Sequence, residues 1–428
     1  MAKTESGIPN VRKFINEVFR GSTYTVETAI ADLVDNSIEA AASRVDIVLD
    51  SSGRYVAIMD NGRGMNDATH RESMKIAAET REYEEGSLGK FGTGMKAASL
   101  SQARRLVVAT RPSGSSTITV RALDIDHVAK VNDWDQVTLV LDESDLPIFA
   151  QKHLAETSGT VVIWENLDRI FSDSDLSDGE KREEMLDKSQ KTTQHLGMVF
   201  HKFLAGELAP KSKLVITVNK SKVDPWDPYC RDEKTFEICK HTLTFAGSAI
   251  KVTGYVLPSE KEFSSKGAFE AASGIKKWNQ SQGFYVYRNN RLIRWGGWLT
   301  VKSVDEHTKL ARIALEIPSE LDAQFQLNVA KSSLTLPLEL KRLLHPIATD
   351  VSSKANKRYR AKMAPLDLGE LPGKGSVVIA ATKRKLTAVA LASTLETLAS
   401  AHGKESQLEE IKALVKSATP EIADEIGW

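Results

Sequence analysis

The chain has little cysteine and no net charge. Among its 428 residues only Cys230 and Cys239 are cysteines, and no cysteine and histidine group has the spacing of a metal site. We therefore expect neither a disulfide framework nor a structural zinc site. Lys and Arg number 57, as do Asp and Glu. Any contact with nucleic acid or an anionic membrane must then depend on a local patch of positive charge.

Long apolar runs are also lacking. No segment approaches the roughly 18 apolar residues that a membrane-spanning helix needs. The first thirty residues carry charges throughout and have no apolar core of the kind found in secretory leaders. We expect a soluble protein of a reducing compartment, cytoplasmic or, in a eukaryote, nuclear, with no membrane partner. The length allows two or three domains.

Residues 27–40 have the pattern of an amphipathic helix, because apolar residues recur at intervals of three and four. Asp32 and Asn36 are four residues apart and so share one face of this helix. A carboxylate that accepts a proton from water, one turn from an amide oxygen that binds a hard cation, is half of a metal-assisted hydrolysis site. An ordinary surface helix with acids on its wet side is the alternative.

A glycine-containing turn follows the second of two strand-like runs, 45–49 and 55–59. Gly62 and Gly64 allow positive φ angles and a close approach of the backbone to a ligand. Asp60, at the end of the strand, is placed to accept a hydrogen bond from an exocyclic amine. The alternative is a simple turn, which Asp-Asn-Gly sequences commonly form.

A second glycine-rich segment opens a further helix-forming run. Three glycines, Gly89, Gly92 and Gly94, come immediately before the run Met-Lys-Ala-Ala-Ser-Leu. Such a turn presents free N–H groups and the positive end of the helix dipole, which suit phosphate. Lys90 and Lys96 would add positive charge. The spacing is not that of a Walker A loop.

Together, in this order, IADLVDNSIEA, DNGRGM and GKFGTGMKAASL resemble the motifs of the GHKL ATPases, and most of all their MORC-type branch. This superfamily includes gyrase, heat-shock chaperones, MutL-type repair proteins and histidine kinases. The resemblance covers about residues 20–170 and implies an α+β chain. It implies a GHKL (Bergerat) ATP-binding α/β sandwich over 1–175, a ribosomal-S5-like α/β transducer domain over 176–350, and a basic connector with a helical C-terminal tail over 351–428.

The resemblance also implies roles for single residues. Asn36 would ligate the Mg²⁺ that bridges the phosphates of ATP, and Asp60 would bind the adenine amine. The base pocket would be shaped by Gly62, Gly64 and Met65. The lid over the phosphates would be formed by Gly89, Lys90, Phe91, Gly92, Thr93, Gly94, Met95 and Lys96.

Asp32 departs from the family pattern. Gyrase-like and MORC-like members usually carry a glutamate here, which activates the attacking water. The aspartate side chain is one methylene shorter, so we expect slow hydrolysis. Glu39, on the same helical face, is a possible substitute base.

The second half of the chain has strand-like runs at 213–218, 250–257 and 283–293. VDPWDPY and GFYVYRNNRLI resemble the transducer domain of MORC-like and gyrase-like proteins. In a later loop, Lys331 occupies the place from which this family sends a lysine to the γ-phosphate, with Gln326 and Asn328 as supporting polar groups. A solvated loop lysine is the alternative.

Two features mark the C-terminal region. Residues 351–385 contain nine Lys or Arg and two acids, which suits nucleic acid or another acidic surface, or else a solvated helix face. Residues 386–428 have apolar residues at helical spacing, typical of a helical hairpin or an oligomerisation tail.

The function that these patterns favour is an ATP- and Mg²⁺-dependent dimerising clamp. Its client would be DNA, by analogy with MORC-like, gyrase-like and MutL-like proteins, in genome maintenance or defence against foreign DNA. A heat-shock-type chaperone with a protein client is one alternative. A nucleotide-binding interaction module with little turnover, working through protein partners, is another.

Overall fold

The computed structural model describes residues 10–21, 24–75, 94–134, 137–171, 173, 175–208, 213–322, 324–325, 334–361, 405–418 and 423. Residues 1–363 form one compact unit and residues 364–428 a second. The first unit combines two sheets with helices, which confirms the α+β class.

The helices have the following bounds. They are α1 (Val11–Phe14), which continues as a π-helix (Ile15–Phe19), α2 (Val26–Glu39), α3 (Asp67–Met74), α4 (Gly94–Leu100), α5 (Ile125–Val131), α6 (Ile148–Glu156), α7 (Asp178–Val199), α8 (His201–Ala205), α9 (Lys266–Ala272), α10 (Lys277–Ser281), α11 (Leu338–Ala361) and, in the second unit, α12 (Glu405–Ala418).

The strands form two sheets. The first contains β1 (Arg44–Leu49), β2 (Tyr55–Asp60), β3 (Arg105–Arg111), β4 (Thr119–Asp124), β5 (Thr138–Leu141), β6 (Gly159–Glu165), β7 (Val215–Val218) and β8 (Ser221–Lys222). The second contains β9 (Phe236–Phe245), β10 (Ser248–Val256), β11 (Gly283–Arg288), β12 (Arg291–Trp295) and β13 (Ala311–Ile317).

Helix α2 confirms the helix predicted around the first motif. It begins after Thr25, whose hydroxyl accepts a hydrogen bond from the Thr28 N–H, while the Thr28 hydroxyl oxygen accepts one from the Thr25 N–H. This reciprocal capping box satisfies two backbone donors that the first turn of a helix leaves open. The apolar side of α2 is buried and packs against α4 and α7. This packing fixes the orientation of the helix and therefore the direction in which its polar side chains point.

The first sheet has the strand order β5-β4-β3-β6-β2-β1-β7-β8, and its neighbours are antiparallel except for β1 and β7. Its central strands are buried on both faces. In β6, Val162 and Trp164 pack in the core that contains α2, α4 and α7, whereas Val161 and Ile163 pack on the opposite face with residues of α6. Successive side chains of a strand point to opposite faces of the sheet, so α2 lies on the face to which Val162 and Trp164 point.

Strand β7 lies in the first sheet, although the predicted second domain, 176–350, includes it. Val215–Val218 pairs in parallel with β1, so the first sheet extends to Lys222. The residue pattern of a four-residue strand does not show whether the strand pairs in parallel with β1 or belongs to the following sheet. The three-part domain division stays a prediction.

The second sheet has the order β12-β11-β13-β10-β9. The predicted strand 283–293 is in fact a hairpin, with Asn289 (φ 47°) and Asn290 (φ 67°) between β11 and β12. Two consecutive residues in the left-handed backbone region form a two-residue hairpin turn that matches the right-handed twist of the flanking strands. Helix α11 covers one face of this sheet, and Met198 of α7 packs on the other.

Helix α7 therefore contacts both sheets, since its Leu196 and Val199 belong to the core of the first. Phe200 separates α7 from α8. Burial, with a smaller contribution from the charge of Arg291, lowers the pKa of His195 in α7 to about 3. His195 is thus a neutral packing residue at physiological pH. Among the described residues, no helix is long and apolar enough to cross a membrane.

Candidate functional site

The polar face of α2 carries the first part of the site. Asp32 is 4% exposed, and Asn36, one turn later, is half-buried. The Tyr24 hydroxyl donates a hydrogen bond to Asp32 Oδ2 at 2.6 Å. Burial and the negative charge of Asp32 raise the pKa of Tyr24, so its hydroxyl stays protonated and acts as a donor. The Asp32 carboxylate is therefore held by a residue that precedes its own helix.

A cation from the second sheet reaches the same carboxylate. Arg291, at the start of β12, places Nη2 at 3.6 Å from Asp32 Oδ1 and Nε at 2.9 Å from Asp35 Oδ1. All three side chains are buried, with exposures of 5% or less. Neither Arg291 nor Tyr24 was identified from the sequence. No spacing pattern relates a hairpin residue such as Arg291 to a helix more than 250 positions earlier, and Tyr24 precedes the predicted helix.

Asp60 lies at the end of β2, as predicted. Its Oδ1 accepts hydrogen bonds from the backbone N–H groups of Gly62 at 2.9 Å and Thr160 at 3.2 Å, and its Oδ2 accepts one from the Ser37 hydroxyl at 3.0 Å. Burial raises the pKa of Asp60, and these donors oppose that effect. Ser37 follows Asn36 directly in α2, so this bond ties the end of β2 to the helix that carries Asp32.

The backbone of Asp60 is also closely packed. His153 of α6 contacts the Asp60 carbonyl oxygen through Nε2 at 2.8 Å. Gly159 has a φ of +145°, and a Cβ atom there would lie 1.9 Å from the same oxygen. Only glycine fits this approach of β6 to β2. Four of these site residues were not identified from the sequence. Ser37 lies within the first motif, where no role was predicted for it, and the other three, His153, Gly159 and Thr160, belong to segments without a recognisable motif.

In the turn after Asp60, Gly64 takes a positive φ angle as the sequence allows, whereas Gly62 does not. Gly64 has a φ of +64°, and a Cβ atom there would lie 2.1 Å from the carbonyl oxygen of Arg111. The Met65 N–H donates to the Thr110 hydroxyl at 2.9 Å. Gly62, Gly64 and Met65 are thus brought together next to Asp60, where the base pocket was predicted.

The start of α4 lies beside Asp32. A Cβ atom on Gly94 would be 3.7 Å from Asp32 Oδ2, which is an ordinary contact distance. Met95 is partly buried against the main core. Lys96 is 1% exposed, and its ammonium group donates to the Ser73 carbonyl oxygen at 2.6 Å. In this arrangement Lys96 contacts the last turn of α3, and its predicted contact with phosphate stays a prediction.

Several predicted residues lie outside the described part of the chain. In the glycine-rich lid these are Gly89, Lys90, Phe91, Gly92 and Thr93, and in the later loop they are Gln326, Asn328 and Lys331. Glu39, the possible substitute base, is in the last turn of α2, and seven residues of helix correspond to about 10 Å of rise from Asp32.

The site does not resemble a metal cage made by protein alone. Among the described residues, no group of three or more His, Cys, Asp or Glu side chains could hold a metal ion. Mg²⁺ commonly takes one or two protein oxygens and completes its octahedron with phosphate oxygens and waters. A single amide ligand such as Asn36 fits this ion when a nucleotide is also present.

Comparison with known proteins agrees with these motifs. Residues 24–160 match the family described as histidine kinase-, DNA gyrase B-, and HSP90-like ATPase. The matched range contains Asp32, Asn36, Asp60 and the glycine-rich segment. Members of this family, the GHKL ATPases, generally bind ATP with Mg²⁺.

Two curated relatives match parts of the chain. Protein MICRORCHIDIA 7 of Arabidopsis thaliana is 27% identical over 125 residues, which are 27% of this chain and 18% of that protein. The DNA mismatch repair protein MutL of Neisseria meningitidis serogroup C is 34% identical over 104 residues, 22% of this chain and 16% of that protein. The chain thus matches less than a fifth of the length of either relative.

A solved structure, described as the N-terminal domain of a DNA repair protein, aligns over 83% of this chain and all of its own, with a TM-score of 0.47 and 16% identity. The family assignment rests instead on the match over residues 24–160 and on the order of the three motifs within it. The segment formed by residues 24–160 belongs to the GHKL superfamily of ATPases.

Proposed function

We propose that the chain binds ATP with Mg²⁺ at α2 and Asp60, hydrolyses it slowly, and works as a clamp that dimerises with ATP. The observation that carries this proposal is the hydrogen bond between Ser37 and Asp60 Oδ2. It joins the helix that bears Asp32 and Asn36 to the strand end that bears Asp60, within the range that matches the family.

Asp60 would select adenine. Its Oδ1 is occupied by two backbone donors, whereas Oδ2 has one hydroxyl donor and so keeps accepting capacity. A hydrogen bond from the exocyclic amine of adenine to this buried carboxylate would be charge-assisted and strong. Gly62, Gly64 and Met65 would line the base.

Asn36 would hold Mg²⁺, and the ion, when bound, would supply positive charge next to the phosphates. Asp32 would accept the proton of the attacking water as general base. Tyr24 orients that carboxylate by its hydrogen bond to Oδ2. Lys331 would be the cation at the γ-phosphate, with Gln326 and Asn328 as supporting polar groups.

The client remains DNA in this proposal. MutL, one of the similar proteins, is a DNA mismatch repair protein. Within the basic stretch, Lys354 pairs with Asp350 and Arg358 with Glu262, so these two cations are partly neutralised. Contact with DNA phosphates would then depend on the stretch's other basic residues, five of which fall in 362–385, outside the described residues.

The test is steady-state ATP hydrolysis combined with light scattering on the full chain, with and without duplex DNA. We expect Mg²⁺-dependent turnover, dimers with a non-hydrolysable ATP analogue, and faster turnover with DNA at low salt. ATP binding without turnover would instead support a nucleotide-binding interaction module. Turnover and dimers without any response to DNA would rule out the DNA clamp and leave a chaperone-like client.

A further inference from the structure

We propose that Arg291 is a positioning residue that couples the second sheet to the ATP site through Asp32. This inference rests on the proposed function. The sequence identifies Arg291 only as part of GFYVYRNNRLI, yet its guanidinium group is buried against two carboxylates of α2.

The charges at this contact depend on one another. Asp32 and Asp35 are one helical turn apart and buried, so their negative charges repel each other where water cannot screen them. Arg291 Nε lies 2.9 Å from Asp35 Oδ1, and Arg291 Nη2 lies 3.6 Å from Asp32 Oδ1, so one cation is next to both carboxylates. Loss of this cation would leave buried negative charge with less compensation.

The Asp32 carboxylate is held from two directions. Tyr24 donates to Oδ2, and Arg291 faces Oδ1. Tyr24 precedes α2, whereas Arg291 belongs to the second sheet, so the direction of the carboxylate depends on where that sheet lies. A proton acceptor must be aligned with the attacking water, and a misplacement of about 1 Å can lower the rate by about 100-fold.

The position of Arg291 is fixed by the second sheet itself. It follows the left-handed turn Asn289–Asn290, and β12 pairs with β11, which pairs with β13. Its guanidinium group also lies 5.7 Å from the ring centroid of Phe200, at the junction of α7 and α8. Movement of the sheet relative to α2 would therefore move the guanidinium group relative to Asp32.

A second ion pair provides a matched control. Lys202 of α8 lies 2.8 Å from Glu316 of β13, so it also links a helix beside the first sheet to the second sheet. The pair involves neither Asp32 nor Asp35. Lys202→Gln therefore loosens the same junction without changing the charges next to α2.

The experiment compares kcat, KM and affinity for a fluorescent ATP analogue in the full chain. We expect Arg291→Gln to lower kcat by about 10- to 100-fold with KM and affinity changed less than about threefold. Arg291→Lys, which keeps the charge, should restore most of the rate. Lys202→Gln should keep the wild-type kcat. Because Arg291→Gln alone could unfold the chain, the double variant Asp35→Asn/Arg291→Gln, which removes one negative charge as well, should fold and retain the low kcat.

Wild-type kcat in the double variant, or an equal loss in Lys202→Gln, would overturn the inference and leave the proposed ATPase intact. If the wild type binds ATP without turnover, the proposed hydrolysis fails, and hydrogen exchange tests the coupling separately. ATP should then protect residues 283–295 in the wild type and in Lys202→Gln, but not in Arg291→Gln or in the double variant. Equal protection in all of them, or no ATP binding by the wild type, would refute the coupling.

Discussion

Asp60→Asn is expected to weaken ATP binding by about 100-fold, which corresponds to about 3 kcal/mol. Because Asp60 Oδ1 accepts two backbone N–H bonds, the amide oxygen of an asparagine must take this position. In the proposed site the NH₂ group would replace Oδ2 and face the adenine amine, so that two donors would oppose each other. The same NH₂ group can still donate to the Ser37 hydroxyl oxygen, so the fold should be retained.

The measurement is titration calorimetry with ATP and Mg²⁺ on the wild type and the variant. Asp46→Asn in the adjacent strand β1 is the matched control, since Asp46 contacts Thr217 and Arg44 rather than the predicted pocket. It should bind ATP as the wild type does. Binding by Asp60→Asn within about threefold of the wild type would show that this carboxylate does not contact the base.

Asp32→Asn is expected to lower kcat by about 100- to 10,000-fold while ATP affinity stays within about threefold. The substitution preserves the shape of the side chain, and its amide oxygen can still accept the Tyr24 hydroxyl hydrogen bond. In the proposed mechanism the variant loses the ability to take a proton from water, and it also loses the negative charge that Arg291 faces. With ATP bound and hydrolysis blocked, the ATP-dependent dimer should persist.

Single-turnover hydrolysis and light scattering on the same sample test this prediction. The wild type should form dimers that decay as ATP is consumed, whereas the dimers of Asp32→Asn should remain. A kcat for Asp32→Asn close to that of the wild type would assign proton transfer to another group. Glu39→Gln would then be the next variant, because Glu39 lies on the same helix.

The local parts of the site could be predicted from sequence. Helical periodicity and the four-residue spacing placed Asp32 and Asn36 on α2, and the strand signal before the glycine turn placed Asp60 at the end of β2. These inferences succeed because each depends on residues close together in the chain.

The non-local parts could not be predicted. Gly159 must be glycine only because β6 approaches the Asp60 carbonyl oxygen, and Thr160 reaches Asp60 by the same approach. Arg291 contacts α2 because the second sheet packs beside it. Likewise, β7 looks like any short apolar strand, and its pairing with β1 decides its sheet. Such contacts follow from tertiary packing, which local propensity does not determine.

The most direct test of the central claim is the binding of a non-hydrolysable ATP analogue to the full chain with and without Mg²⁺, compared with Asn36→Ala. If α2 and Asp60 form an ATP site in which Asn36 ligates the ion, Mg²⁺ should tighten binding to the wild type by at least about tenfold and change binding to Asn36→Ala little. Equal tightening in both proteins would contradict the role of Asn36. No binding of the analogue to the wild type would contradict the ATP site itself.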